Sequence, residues 1–299
     1  MSGSAILLQQ VINGLSLGSI YALIAIGYTM VYGIVKLINF AHGDLLMISA
    51  YSAFFALKWV GPSLFGFIFA FVFAIAVSIA IAVSIERFAY RPLRSAPRIN
   101  SLITAIGVSI LIENGARVIP FIGPNPREFP TIGNHQIGQF GASASLTQAL
   151  VLGITVVLMA VLTLIVAFTR MGKAMRAVSF DMQASSLMGI PVNSVISFTF
   201  GLGALLAAAG GVLFALSYPQ ITPTMGIMPG LKAFIAAVLG GIGSIPGAML
   251  GGFVLGIVET LTKGFISTKL ADAVVFGILI VILLVKPTGI ITSRLKEKV

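Results

Sequence analysis

The chain contains no cysteine and only 8 acidic residues among 299. The first absence excludes disulfides and thiolate metal sites, and it says little about compartment. Charged residues of both signs make up 9% of the sequence, against roughly a quarter in a soluble domain. So few charges cannot cover a water-facing surface, so most of the exterior must face lipid. No GxxxxGK[ST] run occurs, so the chain lacks a phosphate-binding loop and should not hydrolyse ATP itself. Met1-Ser2-Gly3-Ser4 carries no basic n-region, and no small-residue cleavage site follows a short apolar run. A removable signal peptide is not expected.

What is present is hydrocarbon, glycine and a little positive charge. The apolar share is 58% and mean hydropathy is +1.09. Thirty-three glycines suit helices that approach closely inside a membrane. The net charge of +10 lies in loops between apolar runs, which reads as membrane anchoring and not as a nucleic-acid surface. Ten apolar segments are expected: Ile6–Leu15, Leu17–Val35, Leu45–Val60, Leu64–Ile85, Leu102–Ile122, Gln148–Phe168, Val195–Ser217, Leu231–Ile242, Ala248–Leu261 and Ala271–Val285. About 20 residues are needed to cross the hydrocarbon core, so the shorter ones predict discontinuous helices beside a cavity. The runs are continuous and not alternating, which disfavours a β-barrel. The expected fold class is all-α and polytopic, one transmembrane domain over residues 1–299.

Basic clusters orient the spans. Arg87, Arg91, Arg94 and Arg98 form one, Arg170, Lys173 and Arg176 a second, and Lys286, Arg294, Lys296 and Lys298 a third. All three should be cytoplasmic. Two crossings between the first and second place the polar loop 123–147 outside. Between the second and third the count must be even, which requires residues 231–261 to form two legs turning at Gly243–Gly247. The same parity puts the polar break Asn39–Asp44 on the cytoplasmic side. Ile6–Leu15 is either a short crossing, with the N-terminus inside, or an interfacial helix. The two breaks suggest an internal duplication whose sense, parallel or inverted, stays open.

Ionisable groups inside a membrane are the usual functional candidates. Glu113 with Arg117, and Glu259 with Lys263, stand four apart in the favourable order and read as structural pairs near the outer ends of their spans, or as parts of an outer gate. Asn39, His42 and Asp44, beside Gly43, are expected to bond backbone groups freed by the helix break, or to line the inner mouth of a pathway. His42 and Asp44 are two apart and diverge on a helix, so a catalytic role with Ser49 is disfavoured. A proton-relay carrier is disfavoured too, because Asp44, Glu113 and Glu259 are scattered. Gly243, Gly247 and Gly251, with Gly252 and Gly256, form a small-residue face. With Ser244 and Pro246 they mark a place where backbone meets a neighbour or a substrate. The segment Thr169–Ser194 reads as an amphipathic helix with Met175, Val178, Met182 and Ser185 on one side, then a second short helix ending at Gly189 before a proline. It is either an interfacial anchor or a docking element for a cytoplasmic partner.

INFAHGDLLMISAY (38–51), IERFAYRPLR (85–94), RMGKAMRAVSFDMQASSLMGI (170–190) and KAFIAAVLGGIGSIPGAMLGG (232–252) resemble the permeases of bacterial high-affinity branched-chain amino-acid ABC importers. The likeness is to the first-permease type of the leucine/isoleucine/valine system. It implies a fold similar to the ribose and vitamin B12 importer permeases, a second homologous permease, two cytoplasmic ATPase subunits that hold ATP and Mg, and a periplasmic substrate-binding protein. It implies no cofactor in this chain and an inner-membrane location with the C-terminus cytoplasmic. Residues 170–190 would insert into a cleft on an ATPase subunit, through Arg170, Met171, Gly172, Lys173, Arg176, Ala177, Asp181, Ser185, Leu187, Met188 and Gly189. The implied mechanism is alternating access; the same machine for other amino acids, urea or short amides is the alternative. A stand-alone carrier or channel is the alternative of a different class.

Overall fold

The computed structural model describes residues 3–36, 39–94, 96–131, 136–139, 142–286 and 288–291. Ile38, Arg294, Lys296 and Lys298, and part of the loop 123–147, lie outside the described residues. Eleven α-helices are described: α1 (Gly3–Val35), α2 (His42–Val60), α3 (Leu64–Ile85), α4 (Arg98–Val118), α5 (Leu146–Phe168), α6 (Arg170–Phe180), α7 (Met182–Leu187), α8 (Val192–Ser217), α9 (Ile227–Gly240), α10 (Ile245–Phe265) and α11 (Ala271–Val285). A π-helical turn, Glu86–Tyr90, continues α3. Four short strands, β1 (Arg127–Glu128), β2 (Gln136–Gln139), β3 (Ala142–Ser145) and β4 (Gln220–Ile221), pair as β1–β4 and β2–β3. Six helical stretches are long and apolar enough to cross a membrane, those of α1, α3, α4, α5, α8 and α10. The protein is a multi-pass, all-α membrane protein.

The first two predicted segments are one helix. α1 has 33 residues, about 50 Å at 1.5 Å per residue, and Gly14, Ser16 and Gly18 continue it without a break. Added Cβ atoms at Gly14 and Gly18 would lie 2.7 Å from Ile257 Cα and 2.9 Å from Phe253 Cα, so these glycines serve close packing on α10. Ile6–Leu15 is therefore neither a separate crossing nor an interfacial helix. Gln9 ties the start of α1 to β3: its Nε2 donates to Ser143 O at 3.0 Å and its Oε1 accepts from Ser143 N at 2.9 Å. The N-terminal end thus shares a side with loop 123–147.

From there the chain alternates. α1 runs from this loop end to the basic end, where Lys36 closes it at φ 53°. α3 and α5 descend to the basic end, α4 and α8 return from it, and α10 and α11 complete the pattern. The even crossing count holds, because α9 and α10 are two legs joined at Gly241–Ser244. Gly241 and Gly243 make that turn with φ of 104° and 95°, a conformation glycine reaches without a Cβ penalty. Ser244 then caps α10, accepting from Gly247 N at 3.2 Å, with a proline in its first turn.

Two half-length entries give the fold its symmetry. After α1 the chain turns back from the basic end and α2 begins part-way through the bundle. After α8 it turns back from the loop end, and α9 begins at the same depth: an added Cβ on Gly230 would lie 2.7 Å from Gly43 Cα. α1 is antiparallel to α8 and α10, and α8 is antiparallel to α3; α2 packs on α3 as α9 packs on α10. α1–α2–α3 and α8–α9–α10 are therefore related with opposite sense, an inverted-topology repeat. α1 and α8 form the buried centre, whereas the windows of α3, α4 and α5 are mostly exposed, as lipid-facing or partner-facing helices are.

Candidate functional site

The polar break lies deeper than parity arithmetic suggests. His42 is buried against Gly27 and Gly203, where an added Cβ would sit 2.5 Å and 3.5 Å from the imidazole. Gly27 is eight residues before the end of α1, about 12 Å along its axis from the basic end. Asn39–Asp44 is thus a re-entrant segment whose helical part starts about a quarter of the way along α1 from the basic end, where Lys36 closes that helix. Packing decides this, since the glycines of α1 and α8 leave room for a ring that a Cβ would displace.

The polar side chains there do little of the backbone bonding expected of them. Asn39 Oδ1 accepts from the Tyr90 hydroxyl at 2.7 Å, which ties the re-entrant segment to the π-helical turn. The Gly43 N–H, freed at the start of α2, faces the Tyr28 hydroxyl. Tyr28 also packs its ring 4.6 Å from that of His42. His42 faces the Ile24 carbonyl, while its Nε2 and the Oδ2 of Asp44 are buried with no partner among the described residues. Asp44 looks into a cavity of about 110 Å3 between α2, α4 and α9, bounded by Ser109, Glu113, Gly226 and Gly230. Glu113 therefore faces Asp44. Arg117, its expected partner, donates instead to Asn114 Oδ1 at 3.2 Å, so the predicted Glu113–Arg117 pair is not formed. Ser49 is buried and donates to Leu46 O at 2.8 Å, as a helix-bonded serine and not a nucleophile.

The second pair is present but is part of something larger. Glu259 accepts from Lys263 at 2.6 Å and from Lys232 at 2.8 Å through Oε1, and from the Tyr21 hydroxyl at 2.9 Å through Oε2. Lys232 also pairs with Asp272 at 2.7 Å. One buried carboxylate thus joins α1, α9, α10 and α11. A cavity of about 440 Å3 opens at the loop end of α1, α5, α8 and α10, lined by Gln10, Asn13, Gln148, Tyr218, Thr260 and Lys263 among others. At the opposite end Glu86, also buried, pairs with Arg94 and accepts from Ser197 Oγ at 2.6 Å. Arg94 reaches on to Asn193 Oδ1 at 2.7 Å, anchoring the start of α8.

The glycine face splits between two neighbours. Gly247 and Gly251 lie against α9, with added Cβ atoms 2.3 Å from Gly240 O and 2.1 Å from Ala236 O. Gly252 and Gly256 lie against α1, 2.5 Å from Ala22 Cα and 2.3 Å from Gly18 Cα. Beyond α11, Ile290 N and Ile291 N donate to the carbonyls of Leu239 and Gly240 at 2.9 and 3.1 Å, so the chain end caps α9.

A family model described as "Branched-chain amino acid transport system / permease component" matches residues 10–284. The chain belongs to this permease family. It is 47% identical over 306 residues to the high-affinity branched-chain amino acid transport system permease protein LivH of Escherichia coli (strain K12), covering 98% of this chain and 97% of that protein. It is 45% identical over 304 residues to the corresponding protein BraD of Pseudomonas aeruginosa, with 98% of each chain covered. A shorter likeness, 32% over 129 residues and 39% of this chain, links it to the autoinducer 2 import system permease protein LsrC of Enterobacter sp. (strain 638). No solved structure matches.

In this permease the segment between the repeats is mounted rigidly. Thr169 Oγ1 accepts from Gly172 N at 3.0 Å to start α6, and Asp181 Oδ1 accepts from Gln183 N and Ala184 N at 2.8 and 2.9 Å to start α7. Gly172 is pressed on the end of α5, where an added Cβ would lie 2.3 Å from Val166 O. Arg176 bonds the carbonyls of Val166 and Ala167, satisfying the end of α5. The methionine face packs inward: Met175 and Val178 are buried in the bundle, Met171, Ala177 and Met182 are half-buried, and Ser185 is buried. Arg170, Lys173 and Asp181 are exposed, Phe180 is 68% exposed, and Leu187 and Met188 are 88% and 82% exposed at the tip before Gly189 (φ 80°). A cavity of about 100 Å3 lies between Met175 and Arg176 on one side and Gly33 and Gly243 on the other, so the segment faces the second break across it.

Lys232, Glu86 and Tyr90 escaped the sequence reading. Their signal was present: single polar groups in runs otherwise apolar or basic. Apart from the Glu86–Arg94 pair, however, the hydrogen-bond partners cited for them lie 27 to 111 residues away.

Proposed function

We propose that this chain is one permease subunit of an ABC importer that moves leucine, isoleucine and valine into the cytoplasm, driven by ATP hydrolysis in two partner ATPase subunits. The observation that carries the reading is the α6–α7 turn. Leu187 and Met188 stand almost fully in solvent at the basic end, on helices whose other faces are buried. Exposed large apolar side chains on a rigid mount suit a cleft in a partner protein, and the fixed caps suit transmission of a push. α6 delivers such a push to α1 and, across the Gly243 cavity, to the α9–α10 turn.

The chain supplies membrane helices and the docking turn; nucleotide and Mg belong to the partners, and no cofactor is assigned to it. A second, homologous permease completes the conduit, and a substrate-binding protein delivers the amino acid at the loop end. There the amide- and hydroxyl-lined cavity provides polar contacts for a zwitterion, with Leu17 and Ile20 for an aliphatic group. The basic end, with α6, α7 and the chain terminus, faces the cytoplasm, and the start of α1 faces the periplasm. Asn39–Asp44 and Gly243–Gly247 shape the conduit, and Glu259 with its cations holds the outer half of the repeats together.

The test is uptake by the reconstituted complex with a panel of amino acids, urea and short amides. ATP-dependent accumulation of the three branched-chain amino acids is expected. Leu187→Glu with Met188→Glu is expected to abolish copurification of the ATPase subunits without lowering the thermal stability of the permease. Transport by the chain alone down an ion gradient would overturn the reading.

A further inference from the structure

Among the described residues, each acidic group buried in the bundle has a cation except at one place. Glu86 has Arg94, and Glu259 has Lys232 and Lys263. Asp44 is 3% exposed, lies inside the bundle at the level where the two half-helices meet, and makes no ion pair among the described residues. Glu113, the carboxylate nearest to it, makes none either, because Arg117 turns to Asn114. Lys232, on the helix that borders the same cavity, is drawn to the other side by Glu259 and Asp272. Two carboxyl groups thus face one cavity of about 110 Å3 with Ser109 between them and no basic residue in its lining. Asp44 sits in the first turn of α2. Its Oδ2 is buried and completes no hydrogen bond among the described residues, and Ser109 and Glu113 face its carboxyl across the cavity that all three line.

A cavity with this lining is built for a small cation with hydrogens to donate. Its volume admits an ammonium group. Ile227, 42% exposed, borders it beside the half-buried Ser109 and Glu113, so it is accessible from the outer face of the chain. The two half-helices meet there at Gly43, Gly226 and Gly230, whose missing side chains keep the space open. We propose that Asp44, Glu113 and Ser109 form a transit station for the α-ammonium of the amino acid, holding its charged end inside the bundle while the aliphatic side chain remains in the conduit. This rests on the functional reading above. It supplies what an apolar conduit lacks, a local compensation for the buried positive end of a zwitterion.

The experiment uses the complete complex in proteoliposomes, with ATP and leucine-charged binding protein, comparing wild type with Asp44→Asn, Glu113→Gln and Glu113→Asp. Uptake by Asp44→Asn and Glu113→Gln should fall about ten- to a hundredfold, the loss that follows removal of a hydrogen bond to a charged group. ATPase stimulation by the charged binding protein should stay within about twofold of wild type, and Glu113→Asp should recover most of the uptake. A wild-type complex that carries none of the three amino acids overturns the functional reading, and this one with it. A transporting wild type matched by Asp44→Asn and Glu113→Gln overturns the station alone, since a proton-sharing structural pair tolerates both amides. A parallel fall of uptake and ATPase stimulation, or no rescue by Glu113→Asp, also overturns it.

Discussion

Replacing Glu259 by glutamine removes the centre of the network that joins α1, α9, α10 and α11. The carboxylate and the Lys232 side chain are 1% and 7% exposed, whereas Lys263 and Asp272 are 35% and 48% exposed. Lys263 can therefore turn to water after the change, but Lys232 cannot, and it keeps only the half-exposed Asp272. Removing one partner of a buried pair costs about 3–5 kcal/mol, because a charge is left without compensation. The remaining Asp272 contact places Glu259→Gln near the lower figure, about 3 kcal/mol. At about 2–4 °C per kcal/mol for a large domain, the midpoint of thermal unfolding in detergent should fall on the order of 6–12 °C. The companion variant Tyr21→Phe/Lys232→Met/Glu259→Met removes the buried charges and the stranded hydroxyl together. Apolar replacement of a buried ion pair is often neutral, so the triple variant should melt well above Glu259→Gln. The assay is size-exclusion chromatography after heating, read on the monodisperse peak. A Glu259→Gln midpoint within about 1 °C of wild type would refute the reasoning, as would a triple variant that melts below it.

Gly256→Ala should lower the yield of monodisperse protein severely, because its Cβ meets Gly18 backbone at 2.3 Å, while Gly153→Ala, in open space, should be neutral or slightly stabilising by expression and melting. Arg176→Glu should cost about 1–2 kcal/mol in thermal stability, since it strips the cap from the α5 carbonyls, whereas Lys173→Glu, exposed, should leave melting unchanged and weaken only ATPase-subunit copurification. Tyr90→Phe removes the hydroxyl that holds Asn39 and should cost about 1 kcal/mol; Glu86→Gln strands the half-buried Arg94 and should cost more, both read as melting midpoints.

Much of the architecture was legible from runs of residues. Leu64–Ile85 and Ala271–Val285 coincide with helices because a continuous apolar run flanked by polar or glycine residues has no other stable form in lipid. The turn between α9 and α10 was legible because Gly-Gly-Ile-Gly-Ser-Ile-Pro combines left-handed glycines with a cap and a first-turn proline. The join of Ile6–Leu15 to the following span was not, since Gly14, Ser16 and Gly18 look like an interruption until α10 is seen packed on them. Glu113 and Arg117 satisfy the i,i+4 rule, but that rule describes an isolated helix. Once α4 turns Glu113 toward Asp44, the pair separates. The methionines of α6 read equally well as a docking face and a packing face, and burial of Met175 against α1 selects the second. Leu187 and Met188, which the resemblance had already included, remain exposed.

By itself, the sequence determined that this is an all-helical membrane permease, where most of its spans lie, and where the amphipathic segment between them falls. Those follow from composition and local spacing, because lipid leaves the backbone no alternative to helices. Only the tertiary structure decided that the two repeats run in opposite senses, how deep His42 and Asp44 lie, that Lys232 and not Lys263 alone answers Glu259, and that Asp44 and Glu113 face each other without a cation. In a membrane no gain in apolar burial distinguishes one helix face from another. Glycine contacts and polar pairing choose the faces, and those partners lie far apart along the chain.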